Sequence, residues 1–356
     1  MKNIYLQIAD RPSGNTSAAL ATIISTAGST PQKPGSSALF DAAGLVSGTI
    51  GGGILEARVE AISKTAVNIH ESGLYSFMLD KDISENEEAI CGGQAEVMLD
   101  ASITSHIPVF KKIKESLQKR TPGILVTRVT APSGSPVSIE RFWLPRDDKY
   151  DGFAGHPQPL AAAVQKMFLE GRTAAYQELV KPAGDQATRY FLEPVFPLPI
   201  LVICGAGHIG KAVAHLGNML EFEVVVVDER EEFASRENIP DADRIIVRDI
   251  GQAMQSMDCT PETYIVIVTR GHKNDADALK ACIGSKAAYI GMIGSATKIA
   301  LMRDKFISEG MATPGQWDSI YAPIGVDIHS KTVQEIAVSI AAQLVRIRNQ
   351  KTATHA

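Results

Sequence analysis

The chain has 356 residues, 45% of them hydrophobic and 21% charged, with a formal charge of -5 at pH 7, which suits about two globular domains. The acidic balance excludes nucleic acid as the main partner, because phosphate backbones need a basic surface. No apolar run approaches the ~20 residues of a membrane span, no secretory pattern opens the chain, and the four scattered cysteines, Cys91, Cys204, Cys259 and Cys282, imply reduced thiols in a cytoplasm.

Taken in order, residues 17–25 read as a strand. Residues 37–40 and 45–49 read as two short strands joined by the turn-forming Asp41-Ala42-Ala43-Gly44. A helix is predicted over 54–69, with Leu55, Val59, Ile62 and Ala66 on one face. Strands at 74–79 and 95–99, a helix at 109–117 and a hairpin of 123–130 with 137–144 follow. Three prolines in Glu193-Pro194-Val195-Phe196-Pro197-Leu198-Pro199 make a stiff segment that cannot lie inside a helix. The boundary is placed there, giving an N-terminal mixed α/β domain over 1–195 and a C-terminal domain over 196–356.

Beyond it, strands at 200–204, 223–227, 244–247, 264–269 and 288–292 alternate with helices, including 211–220 and 275–283. That alternation predicts a Rossmann-type, doubly wound parallel sheet. Thr332 and Glu335 have capping-box spacing ahead of a last helix, with Ile336, Ile340, Leu344 and Ile347 on one face.

Within this frame Gly205-Ala206-Gly207-His208-Ile209-Gly210 is a GxGxxG that follows a strand and opens a helix, the context that gives the pattern meaning. Gly205 suits the tight turn, Gly207 lets backbone approach a phosphate, and Gly210 lets helix and strand pack closely. The helix start offers amides to an anion. Asp228, at the end of the next strand, stands where an acid can bind ribose hydroxyls, and nearby Arg230 leaves NAD against NADP open. With strand order 3-2-1-4-5, His208 and His272 would face each other across one crevice, with Arg270, His272 and Lys273 as anion or cofactor binders. Asp275 reads as an N-cap or, with His208 and His272, as a less favoured metal trio.

Two more glycine clusters precede residue 100. A strand runs into Gly51-Gly52-Gly53 and a helix carrying Glu56 in its first turn; this is either an anion-binding nest or a tight turn with an acid at the helix start. Cys91-Gly92-Gly93 sets a thiol on a turn, open to sulfur or metal chemistry or simply exposed, whereas Cys204 sits in a strand and reads as packing.

These motifs together resemble the XdhC/CoxI family of xanthine dehydrogenase accessory proteins. The resemblance is carried by TAGSTPQKPGS (26–36), GTIGGGILEA (48–57), CGG (91–93), CGAGHIGKAVA (204–214), TRGHKNDADAL (269–279), YIGMIGS (289–295) and PIGVDIHSKTVQEIAVSIAAQLV (323–345). It implies a maturation factor that binds the molybdenum cofactor (molybdopterin) and assists its sulfuration and insertion. The implied partners are a xanthine dehydrogenase-like apoenzyme and a cysteine desulfurase-type sulfurtransferase. A homodimer is expected on separate grounds, because a crevice shared between protomers is common. The chain departs from the family pattern where Ala296-Thr297-Lys298 replace arginines after Ser295, where Ile54 follows the triple glycine in place of cysteine, and at His329. Two other readings remain: an NAD(P)-dependent oxidoreductase built on the Rossmann loop, and a docking protein with both glycine sites vestigial.

Overall fold

A computed structural model describes residues 4–12, 17–79, 93–132, 136–147, 158–183 and 186–353. The chain is an α/β protein that divides into two units, Met1–Pro197 and Leu198–Ala356. Among the described residues no helix is long and apolar enough to cross a membrane.

The first unit holds two antiparallel sheets. After α1 (Ile4–Ala9), the strands β1 (Ala18–Gly28), β2 (Ser37–Asp41) and β3 (Gly44–Gly48) lead into α2 (Gly53–Ile69), β4 (Gly73–Met78) and β5 (Gly93–Asp100). Their sheet order is β3-β2-β1-β5-β4. The expected turn between β2 and β3 closes with Ala43 N donating to Asp41 Oδ1 at 2.8 Å, an Asx turn. Leu55, Val59 and Ala66 of α2 pack on Ala19, Ala21, Ile23, Phe40 and Val97, with Ile62 partly buried beside them, as the 3.6-residue period dictates.

The second sheet follows α3 (Ile107–Gln118). It comprises β6 (Gly123–Pro132), β7 (Ser138–Pro145), then, after α4 (Gln158–Glu170), β8 (Gln177–Ala183) and β9 (Gln186–Val195), in the order β7-β6-β9-β8. The sequence reading placed the β6–β7 hairpin but neither α4 nor β8 and β9. Pro194 lies opposite Ile124 of β6, while β8 pairs with β9 only as far as Leu192. The proline therefore sits where one edge of β9 has no partner strand, which a residue without an amide hydrogen tolerates.

In the second unit, β10 (Ile200–Cys204), α5 (His208–Met219), β11 (Glu223–Asp228), β12 (Arg244–Val247), α6 (Ile250–Gln255), β13 (Thr263–Ile267), α7 (His272–Cys282) and β14 (Tyr289–Met292) run in sequence. They are followed by α8 (Ala296–Ser308), α9 (Pro314–Asp318) and α10 (Val333–Ala353). The strands form a parallel sheet in the order β12-β11-β10-β13-β14, so connectivity reverses between β10 and β13. Alternate residues of β10 face opposite cores. Leu201 and Ile203 join the face covered by α5 and α10; Val202 and Cys204 join the face covered by α6, α7 and α8. Burial on both faces explains why this strand reads as an unbroken apolar run. The last helix is capped as expected, Thr332 N donating to Glu335 Oε2 at 2.8 Å and Glu335 N to Thr332 Oγ1 at 3.3 Å.

Candidate functional site

The switch point between β10 and β13 is where open parallel sheets bind ligands, and the glycine loop stands there. Gly205 has φ +114°, and a Cβ on it would meet Val268 O at 2.5 Å; only glycine makes this turn. A Cβ on Gly210 would collide with Gly205 O, so the first turn of α5 packs directly on the loop backbone. In front of Gly207, the N-cap of α5, there is no atom within 4 Å of an added Cβ. The helix start is thus open, its first amides lack intrahelical partners, and no side chain caps them. This is the geometry of an anion cradle.

Two residues brace the loop from outside. Asn238 Nδ2 donates to Ala206 O at 3.3 Å and to Phe233 O at 2.7 Å. Asp228 Oδ2 accepts from Ala206 N at 2.8 Å and from Arg230 Nη2 at 2.8 Å. Its Oδ1 accepts from Arg230 N at 3.0 Å and Arg230 Nε at 2.9 Å. Burial opposes ionisation of Asp228, but the donors from Arg230 and Ala206 outweigh it and hold the carboxyl below the ordinary carboxylate range. Asp228 is therefore turned inward and engaged by the protein, not presented free to a ribose. Asn238 carried no sequence signal, since its role depends on the closure of the loop between β11 and β12.

Across the switch point, Gly271 (φ +105°) caps α7, again with nothing within 4 Å of an added Cβ. Arg270, His272 and Lys273 are exposed there. Asp275 is not the N-cap of α7, which is Gly271. It is buried, accepting from Thr269 N at 3.2 Å and Thr269 Oγ1 at 2.6 Å and pairing with Lys298. Lys298, the positive charge left in the departure after Ser295, is thus spent inside the fold. With Asp275 consumed, the metal trio dissolves; no group of three or more His, Cys, Asp or Glu able to hold a metal occurs among the described residues. Asn274 Nδ2 donates to Glu229 Oε1 at 3.1 Å, tying the first turn of α7 to the loop after β11.

His208, the first residue of α5, is half of the pair expected to face each other across the crevice. It lines a groove of about 540 Å³ with Lys211, His215, Asp241 and the start of α10, and no residue of 269–275 lines it. α5 covers one face of the sheet and α7 the other, so their starts flank the switch point.

In the first unit, Gly51, Gly52 and Gly53 have φ of +119°, +68° and +58°. Nothing lies within 4 Å of a Cβ on Gly52 or Gly53, whereas one on Gly51 would meet Pro31 Cγ at 2.6 Å. Thus the 26–36 motif packs on the glycine run. Glu56 Oε2 accepts from Thr49 Oγ1 at 2.8 Å and Ile50 N at 3.2 Å, so its carboxylate braces the loop as an internal anion. Cys91 and Gly92 lie outside the described residues. Gly93 pairs with Gly28 at the head of β5. Cys204 is fully buried, and burial pushes its thiol well above the ordinary range.

Residues 201–344 match the family described as "XdhC Rossmann domain", and residues 13–78 match "XdhC and CoxI family". A protein of Bacillus subtilis (strain 168), described as a probable xanthine dehydrogenase subunit, is 26% identical over 336 residues, 94% of this chain and 94% of its own length. The uncharacterized protein YqeB of Escherichia coli (strain K12) is 30% identical over 152 residues, 42% of this chain and 28% of its own. A crystal structure of a Bacillus halodurans protein described as a xanthine dehydrogenase superposes with a TM-score of 0.72 at 20% identity, covering 98% of this chain and 95% of that one. At that identity the likeness speaks for the fold.

Proposed function

The chain belongs to the XdhC and CoxI family, that of the xanthine dehydrogenase accessory proteins, and from this premise we propose that it binds the molybdenum cofactor and assists its sulfuration and its insertion into a xanthine dehydrogenase-like apoenzyme. The observation that carries the reading is the open space before Gly207 at the N-terminus of α5. A terminal phosphate such as that of a pterin cofactor fits a cradle of free amides that any Cβ would begin to fill. Gly205 and Gly210 shape the cradle, Asp228 and Asn238 hold it rigid, and the exposed Arg270 and Lys273, with His272 between them, supply positive charge at the same edge of the sheet. When bound, the cofactor supplies a molybdenum and its dithiolene sulfurs. The chain's own part is to grip the phosphate and shield the rest until transfer. A cysteine desulfurase-type sulfurtransferase, the target apoenzyme and a second copy of the chain are the partners this role calls for, and a cytoplasmic setting suits the reduced thiols.

The test is purification after co-expression with molybdenum-cofactor synthesis, with bound molybdenum and pterin measured and the apoprotein titrated with NADH and NADPH. Near-stoichiometric molybdopterin is expected on the native chain, with loss from Gly207→Val, whose side chain enters the cradle. Tight nicotinamide binding with redox turnover of a small substrate would replace the reading with that of an oxidoreductase. Cys91→Ala is expected to lower cofactor retention; undiminished retention would remove the thiol from the proposal.

A further inference from the structure

In a dinucleotide site, the acid at the end of the strand after the glycine loop binds the ribose hydroxyl pair. Here that position is closed. The four hydrogen bonds to Asp228 come from Ala206 N, Arg230 N, Arg230 Nε and Arg230 Nη2, at 2.8 to 3.0 Å. A carboxylate offers about four lone-pair sites, so protein donors fill them. Asp228 is 2% exposed, and the guanidinium covering it is itself seated on the Phe233 ring, 4.1 Å from the centroid. A ribose diol could reach the carboxylate only by displacing Arg230. That exchanges a bidentate pair between two opposite charges, held in the rigid fork of the guanidinium, for two hydrogen bonds from neutral hydroxyls to a single charge.

We infer that Arg230 is a specificity-determining residue: it seals the ribose position at Asp228, so the glycine loop takes a phosphorylated ligand without a ribose diol and refuses nucleotides that depend on one. The inference rests on the proposed phosphate site and narrows its ligand class. A phosphorylated pterin belongs to the accepted class. NADH, ADP-ribose and ATP belong to the refused one.

The experiment titrates NADH, by its fluorescence, into the apoprotein of the native chain, Arg230→Ala and Arg230→Ala/Gly207→Val. The native chain is expected to bind NADH weakly. Arg230→Ala should tighten it by about tenfold or more, and adding Gly207→Val should remove the gain, which locates it at the glycine loop. Arg230→Lys keeps the charge but lacks the rigid fork, and it carries the same test with a smaller gain should the alanine variant unfold. Native binding of NADH as tight as that of Arg230→Ala overturns the inference; so does a folded Arg230→Ala or Arg230→Lys with no gain. Cofactor retention separates this failure from that of the underlying reading. If molybdopterin co-purifies with the native chain and is lost in Gly207→Val while Arg230→Ala gains no NADH, the seal is wrong and the phosphate site stands. If Gly207→Val leaves retention unchanged, the phosphate site falls and takes the seal with it.

Discussion

Two glycine turns in this chain look alike in sequence and differ in what they do with their amides. At 205–210 the acid that braces the turn, Asp228, comes from the next strand and grips Ala206 N from behind, leaving the helix start before Gly207 open. At 51–53 the acid is local: Glu56 folds back from α2 and takes Thr49 Oγ1 and Ile50 N itself. A helix start attracts negative charge in either case. The first turn leaves that demand for an outside anion; the second meets part of it from within.

The comparison is tested most severely at Gly210. Its Cβ would fall on the backbone of Gly205, which cannot rotate away as a side chain could. Gly210→Ala should therefore cost about 3 kcal/mol, at the top of the range for overpacking, read as a lower denaturant midpoint at unchanged slope. A loss under about 1 kcal/mol would mean that the loop is not packed as tightly as the contrast requires.

Asp228 comes next. Asp228→Ala leaves Ala206 N without its acceptor and frees Arg230, which is 25% exposed at its side chain and can turn to water. The cost should be about 2 kcal/mol, the penalty of one buried unsatisfied donor and a broken charged pair softened by that exposure. The sign with pH follows from the depressed carboxyl. Stability from this group is present above the unfolded value of 3.8 and is lost as pH falls through the lower folded value. Acid titration of native and Asp228→Ala stability should therefore converge below about pH 4. Parallel curves would place the brace elsewhere.

How much of this was legible follows from the same residues. Both glycine turns stand out because strand, glycines and helix occur in sequence order, and the order alone places the amides. The apolar faces of α2 and α10 were likewise visible through their period. What the sequence could not reveal is which side chain closes on which. Nothing local distinguishes Asp228 bound to Arg230 from Asp228 waiting for a ribose, and Asn238 and Lys298 find their partners only once the strands are side by side. β8 and β9 escaped for another reason. Their alternation is interrupted by Pro182 and Pro194, and the pairing that excuses Pro194 is a property of the sheet.

Gly52→Ala is a smaller effect on the first unit's side of the contrast. No atom crowds its Cβ, but φ of +68° with ψ of -169° is a conformation essentially reserved for glycine, at about 1–2 kcal/mol. Gly207→Ala, at φ -73°, meets no such strain and should leave stability within about 0.5 kcal/mol. Similar losses at the two positions would erase the distinction between a turn that needs glycine for its backbone and one that needs it for open space.

The smallest expected change in stability is the most informative about the two turns. Glu56→Gln keeps an oxygen that can accept from Thr49 Oγ1 and Ile50 N, so stability should shift by no more than about 0.5 kcal/mol. It removes the negative charge, however, and leaves the amides of three glycines with left-handed backbones at a helix start that no anion neutralises. On a Gly207→Val background, which silences the second unit's cradle, inorganic phosphate should then bind to Glu56→Gln more tightly than to the parent, by up to about fivefold for a charge worth about 1 kcal/mol at a helix terminus. If the two proteins bind phosphate alike, Glu56 is not acting as a resident anion. The run at 51–53 is then a backbone device that brings the 26–36 loop against α2, and anion binding belongs to the 205–210 loop alone.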